Sequence, residues 1–102
     1  LLDYRFGPDF LDSLESLEGV SRDKVVDVLV EVATGLARQI HGRQLHQWRI
    51  GPVGPQETRS DGAAAWRCSL QVNTASARRL KYWQLPGGTV EFDSVGVHDE
   101  GI

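Results

Sequence analysis

The stretch WRCSLQVN, residues 66–73, decides the fold. Trp66, Cys68, Leu70 and Val72 alternate with Arg67, Ser69, Gln71 and Asn73. Alternation at period two marks a strand with one apolar and one polar face. Downstream, Asn73–Ala77 reads as a turn. Leu80, Tyr82, Trp83 and Leu85 mark a second strand. Pro86-Gly87 predicts a type II turn, with proline fixing one φ and glycine taking the positive one. Thr89–His98 predicts a third strand. Its apolar positions pass from Val90 and Phe92 to Val95 and Val97, and that change of parity predicts a bulge near Asp93-Ser94.

Upstream the period changes. Leu2, Tyr4 and Phe6 alternate with Asp3 and Arg5 as a short strand, which Gly7-Pro8 ends. Asp9 is positioned to cap a helix. Phe10, Leu11, Leu14 and Leu17 form one helical stripe, and Gly19 stops it. Ser21 can cap a second helix, with Asp23 favourable in its first turn. Val25, Val26, Leu29, Val32, Ala33 and Leu36 continue at helical spacing. Val26, Val28, Val30 and Val32 also alternate as in a strand, but the span from Ser21 to Gly35 suits a helix better. Residues 37–65 read as irregular, with a short strand expected at Leu45–Ile50.

Strand, helical hairpin, then a run of strands is the order of an α+β domain. The expectation is one domain over residues 1–102, with a mostly antiparallel three- to four-stranded sheet after the helices. The helices should cover one face and leave the other open to water.

Composition narrows the class. With 102 residues, 40% of them hydrophobic and 25% charged, the chain suits a small globular domain. No apolar run approaches the roughly 20 residues that span a bilayer, and no basic-then-apolar segment opens the chain. The missing initiator methionine reads as a trimmed start. The expected location is the cytoplasm. The single cysteine, Cys68, excludes an internal disulfide and a multi-thiolate metal site, and its place on an apolar strand face reads as inert core. His41 and His46 have no matching third ligand, so neither a metal nor a cofactor is expected.

The formal charge of −3 is unevenly spread. Residues 1–31 hold eight acids and three bases, net −5. Residues 32–90 hold eight bases and two acids, net +6, and residues 91–102 hold four acids and no Lys or Arg. The sheet alternation collects much of the basic middle. If the apolar side of residues 66–73 faces the helices, Arg67 faces away, and Arg79, Lys81, Trp83 and His98 join it. His46 and Arg49 would rim that face. Lys and Arg neutralise phosphates, an exposed tryptophan stacks on an unpaired base, and a histidine moves protons near neutral pH. The set would permit metal-free RNA cleavage. A plainer reading also stands: a solvated basic strand face, a Trp83 that covers the core edge, and a structural His98.

Three patches resemble the RelE/ParE superfamily of bacterial toxins: YRFGPDFLDSLESL at the start, AWRCSLQV with RRLKYWQL, and TVEFDSVGVHDE at the end. The resemblance is one of pattern and covers most of the chain. It implies a toxin of a toxin–antitoxin pair that cleaves messenger RNA, on the ribosome in many members, without a metal. It implies a cognate antitoxin as partner, and no membrane. On this basis Arg67 and Lys81 would hold the scissile phosphate and His98 would be the general acid or base. Arg79, Trp83, His46 and Arg49 would contact the nucleic acid. The ParE branch inhibits gyrase and needs no such acid–base set, so a gyrase-directed or other protein-binding toxin is the alternative, beside a non-catalytic interaction domain. The segment 51–65 is longer and richer in Gly and Pro than that pattern, and no aromatic residue follows His98.

Overall fold

The computed structural model describes residues 3–35, 37, 45–51, 53–71 and 77–97. Along the chain run β1 (Tyr4–Phe6), α1 (Phe10–Ser16), α2 (Arg22–Thr34), β2 (His46–Gln47), β3 (Ala64–Ser69), β4 (Arg78–Gln84) and β5 (Val90–Val97). The strands form one sheet in the order β1-β5-β4-β3-β2. The β1–β5 pair is parallel and the others are antiparallel. This is the expected α+β arrangement. The N-terminal strand β1 lies at one edge, beside the last strand, and β2, the first strand after the helices, lies at the other. Among the described residues no helix is long and apolar enough to cross a membrane.

The helices pack on one face. Phe10 from α1 and Val25, Val28 and Val32 from α2 meet Cys68, Leu80, Tyr82, Val90, Phe92 and Val95 from the strands. Val28 is completely buried, whereas Val26, assigned to the buried stripe from spacing, is exposed. α2 starts and stops where its sequence signals lie. The Ser21 hydroxyl accepts from the Lys24 amide, and Gly35 ends the helix in the left-handed conformation. α1 departs from its signals. The Asp9 carboxylate makes no capping bond, and the helix ends at Ser16, with Leu17 extended, before Gly19 is reached. The Ser13 hydroxyl ties α1 to the sheet instead. It donates to Phe10 O and accepts from Val95 N, a β5 amide beyond the reach of the short β1.

Two turn features distinguish local from tertiary signals. The bulge falls where the parity change placed it. Lys81 pairs with Ser94 and Tyr82 with Phe92, so Asp93 is the extra residue. The turn after β4 is not type II. Gly88, not Gly87, takes the positive φ, and its amide donates to Leu85 O. Together with the bond from Leu85 N to Thr89 O, this is a three-residue hairpin loop closed by a left-handed glycine.

The second sheet face is not open to water, as the alternation had suggested. The described residues of the segment 48–63 fold across it. Trp48, Ala63, Ala65 and Trp83 form a second buried cluster there, with Leu85 against it. The segment is held by backbone bonds: Trp48 N to Ala65 O, Glu57 N to Trp48 O, and Ala65 N to Glu57 O. Residue 57 is thus wedged between the diverging ends of β2 and β3. An unpaired backbone group under such a cover would be costly, and this ladder satisfies them. The expected strand at Leu45–Ile50 is present as β2, followed by a bridge between Arg49 and Gln56. Leu36, His41, Val72, His98 and Asp99, and most of the turn at Asn73–Ala77, lie outside the described residues.

Candidate functional site

Strand register builds the site. Directly opposed residues in a sheet share a face. His46 of β2 pairs with Arg67 of β3, Arg67 with Lys81 of β4, and Lys81 with Ser94 of β5. These four form one cross-strand row on the face away from the helices. The next row is Ser69, Arg79 and Gly96. The row on the other side is Ala65, Trp83 and Glu91. Of the residues singled out from sequence, His46, Arg67, Lys81 and Arg79 therefore come together. Arg49 lines a cleft of about 310 Å³ with His46, Gln47 and Arg67 at the β2 edge.

Each basic group sits differently. His46 is exposed at the edge. Lys81 is largely covered, at 14% side-chain exposure, and its ammonium is 2.9 Å from the Glu57 carboxylate. It also stands 4.8 Å from the Trp48 ring and 4.9 Å from the Trp83 ring, within cation–π range of both. Arg79 is half-buried, and its Nη1 is buried with no hydrogen-bond partner among the described residues. A buried guanidinium nitrogen without an acceptor is costly, and an oxyanion would relieve it. Beside it lies a cleft of about 80 Å³, lined by Trp48, Arg79, Lys81, Ser94 and Gly96 among others. Gly96, directly across from Arg79, has no side chain to fill that space.

Trp83 is corrected. It is 5% exposed rather than an open stacking plane. Its indole N–H donates to Asp93 Oδ1 at 3.1 Å, and the Arg59 guanidinium lies 4.8 Å from its ring. Asp93, the bulge residue, thus anchors the ring. His98 lies outside the described residues, directly after β5.

Sequence reasoning missed the acids on this face. Glu91, 7% exposed, accepts from Arg5 Nε at 2.8 Å and from Arg59 Nη1 at 2.7 Å. Arg59 also grips Asp61 at 2.7 Å. Arg59 holds the Glu91 carboxyl below its ordinary range, with Arg5 helping and burial opposing. The Asp61 carboxyl is lowered by Arg59 first and by the Ala63 amide second. Both neighbours in turn push the Arg59 guanidinium up, Asp61 most. One signal was available: Glu57 and Asp61 are the two acids in the basic stretch 32–90. Isolated acids in a basic segment are candidates for pairing.

The geometry offers Arg79 and Lys81 at a small cleft, with Arg67 beside Lys81 in the row and the His46 imidazole at the separate cleft of the β2 edge. It can hold an oxyanion and stabilise charge that develops on it. Among the described residues no three His, Cys, Asp or Glu side chains converge as a metal-binding group. The chain matches no family model, no curated protein and no solved structure.

Proposed function

We propose that this chain is an endoribonuclease toxin of a toxin–antitoxin pair, acting on messenger RNA in the cytoplasm. One observation carries the reading: the register sets His46, Arg67 and Lys81 in one row, with the unpartnered Arg79 Nη1 in the next. Arg79, Lys81 and Arg67 hold the scissile phosphate and take up the charge that grows on it. A base accepts the 2′-hydroxyl proton, and O2′ attacks phosphorus. The P–O5′ bond breaks, and an acid returns a proton to O5′. The products are a 2′,3′-cyclic phosphate and a 5′-hydroxyl. His46 is the imidazole on the described face, and His98 is the second histidine that the resemblance puts forward. Both roles suit an imidazole, and neither step calls for a metal or cofactor. A cognate antitoxin would cover this face, and the ribosome is the implied place of cleavage in the resembling family.

A second reading has one observation in its favour. With Trp48 and Trp83 buried, this face offers no exposed tryptophan plane for a base. A toxin that binds gyrase or another protein needs none.

Inducible expression of wild type, Arg79→Ala and His98→Ala in a bacterial host, with growth and transcript integrity followed together, separates them. The nuclease reading expects arrest with cleaved transcripts in wild type and a loss of at least about tenfold in cleavage for Arg79→Ala. Arrest by all three with intact transcripts would move the assignment to the protein-directed reading.

A further inference from the structure

We propose that Glu57 is a built-in competitor for the anion site: its carboxylate occupies Lys81 in the free protein, and a phosphate of bound RNA replaces it there. The inference deepens the RNA reading and rests on it for the identity of the ligand.

The segment 57–63 reaches across the basic face with three charged side chains, Glu57, Arg59 and Asp61. Arg59 is the anchor. It spans Glu91 at 2.7 Å and Asp61 at 2.7 Å while its guanidinium lies over Trp83. Its partner on the sheet, Glu91, is 9% exposed at the side chain and is also held by Arg5, so this end is tied into the sheet. Glu57 is the releasable end. Among the described residues its one ion pair is with Lys81, and its side chain is 34% exposed. An ion pair this open to water is weak, and a doubly hydrogen-bonding phosphate can displace it.

The backbone at residue 57 need not move for this exchange. Its amide is fixed to Trp48 O and its carbonyl to Ala65 N. Only the side chain has to swing toward solvent. Lys81 cannot follow it easily, because the ammonium is packed between the Trp48 and Trp83 rings. The cation is therefore held in place and the anion is exchangeable. While Glu57 remains, it also repels any phosphate that approaches Arg79 in the adjoining row.

The test is binding of a 2′-O-methyl single-stranded RNA, which lacks the attacking hydroxyl, by wild type, Glu57→Gln, Lys81→Ala and the double variant. Circular dichroism checks that each is folded. Glu57→Gln should bind about two- to fivefold tighter than wild type, the worth of an exposed ion pair. In the Lys81→Ala background the same change should alter affinity by less than about twofold. Wild-type binding with no gain in Glu57→Gln, or an undiminished gain without Lys81, would overturn the competitor role and leave the RNA reading standing. If wild type and Glu57→Gln both fail to bind RNA, the RNA reading fails. Titration with inorganic phosphate, followed by the indole N–H signals of Trp48 and Trp83, then decides: tighter binding by Glu57→Gln sustains the competitor role, and equal binding overturns it.

Discussion

At the scale of the residue, Glu91 shows how a buried charge is kept. Two arginines on one face of the sheet, Arg5 on β1 and Arg59 on the covering segment, converge on one carboxylate. Removing the carboxylate leaves Arg59 facing a covered surface with Asp61 alone. Glu91→Ala should cost about 2 kcal/mol of stability, below the range for a fully buried pair because Arg5 is half exposed. Chemical denaturation of both proteins at pH 7 measures it. The pH dependence has a definite sign. Glu91 and Asp61 are held below their ordinary values of 4.5 and 3.8. A depressed carboxyl contributes stability above its unfolded value and loses it as pH falls through the folded one. The gap between wild type and Glu91→Ala should therefore be full at pH 6 and shrink below about pH 4.

At the scale of the element, the second helix and the bulge are the sharpest cases. The Ser21 cap and the left-handed Gly35 bound α2. A Cβ on Gly35 would meet no atom within 4 Å, so Gly35→Ala carries only the backbone penalty of a positive φ. That penalty is about 1 kcal/mol, and Ser21→Ala should cost about the same through the lost cap. Thermal unfolding should show the two effects adding, since the ends are a helix apart. The bulge is a different kind of element. Asp93 is the extra residue that lets Phe92 and Val95 both face the helices. Deleting Asp93 would turn either half of β5 to the wrong face. It would also strip the Trp83 indole of its acceptor. The deletion should abolish cooperative unfolding, whereas Asp93→Asn keeps register and acceptor and should fold.

At the scale of the whole molecule, the helix side is acidic, while the opposite sheet face carries cations, some of them paired with Glu57, Asp61 and Glu91. The acids of residues 1–31 lie largely on exposed helix positions, among them Asp12, Glu15, Asp23 and Asp27. Arg67, Arg79 and Lys81 gather on the opposite side of the sheet. Such a molecule approaches a polyanion in one orientation. If three phosphates are neutralised, the log–log salt slope of single-stranded RNA binding should be about −2. Arg79→Ala should bring it to about −1.4. A slope near zero would mean that the basic face is not the contact surface. The covering segment alters the character of that surface: with Trp48 and Trp83 buried, the proposed RNA contact there would rely on charge rather than on stacking.

Local signals determined the elements and their order. The period-two run from Trp66, the helical stripe with its Ser21 cap and the parity change in the last strand are all carried by neighbouring residues. The strand through Ser69, the Ser21 cap and the bulge are present in the fold, with Val26 turned outward from the stripe, because hydrophobic periodicity and capping act over one or two turns of chain. The row of His46, Arg67 and Lys81 followed partly from the same alternation, since cross-strand neighbours share a face. Only the tertiary structure decided what lies above that row. Burial of Trp83, the ion pair of Glu57 with Lys81 and the grip of Arg59 on Glu91 join residues 10 to 32 positions apart. Nothing in the local pattern of residues 48–63 encodes which face they will cover. Their apolar and charged groups gain partners only once the sheet exists to receive them.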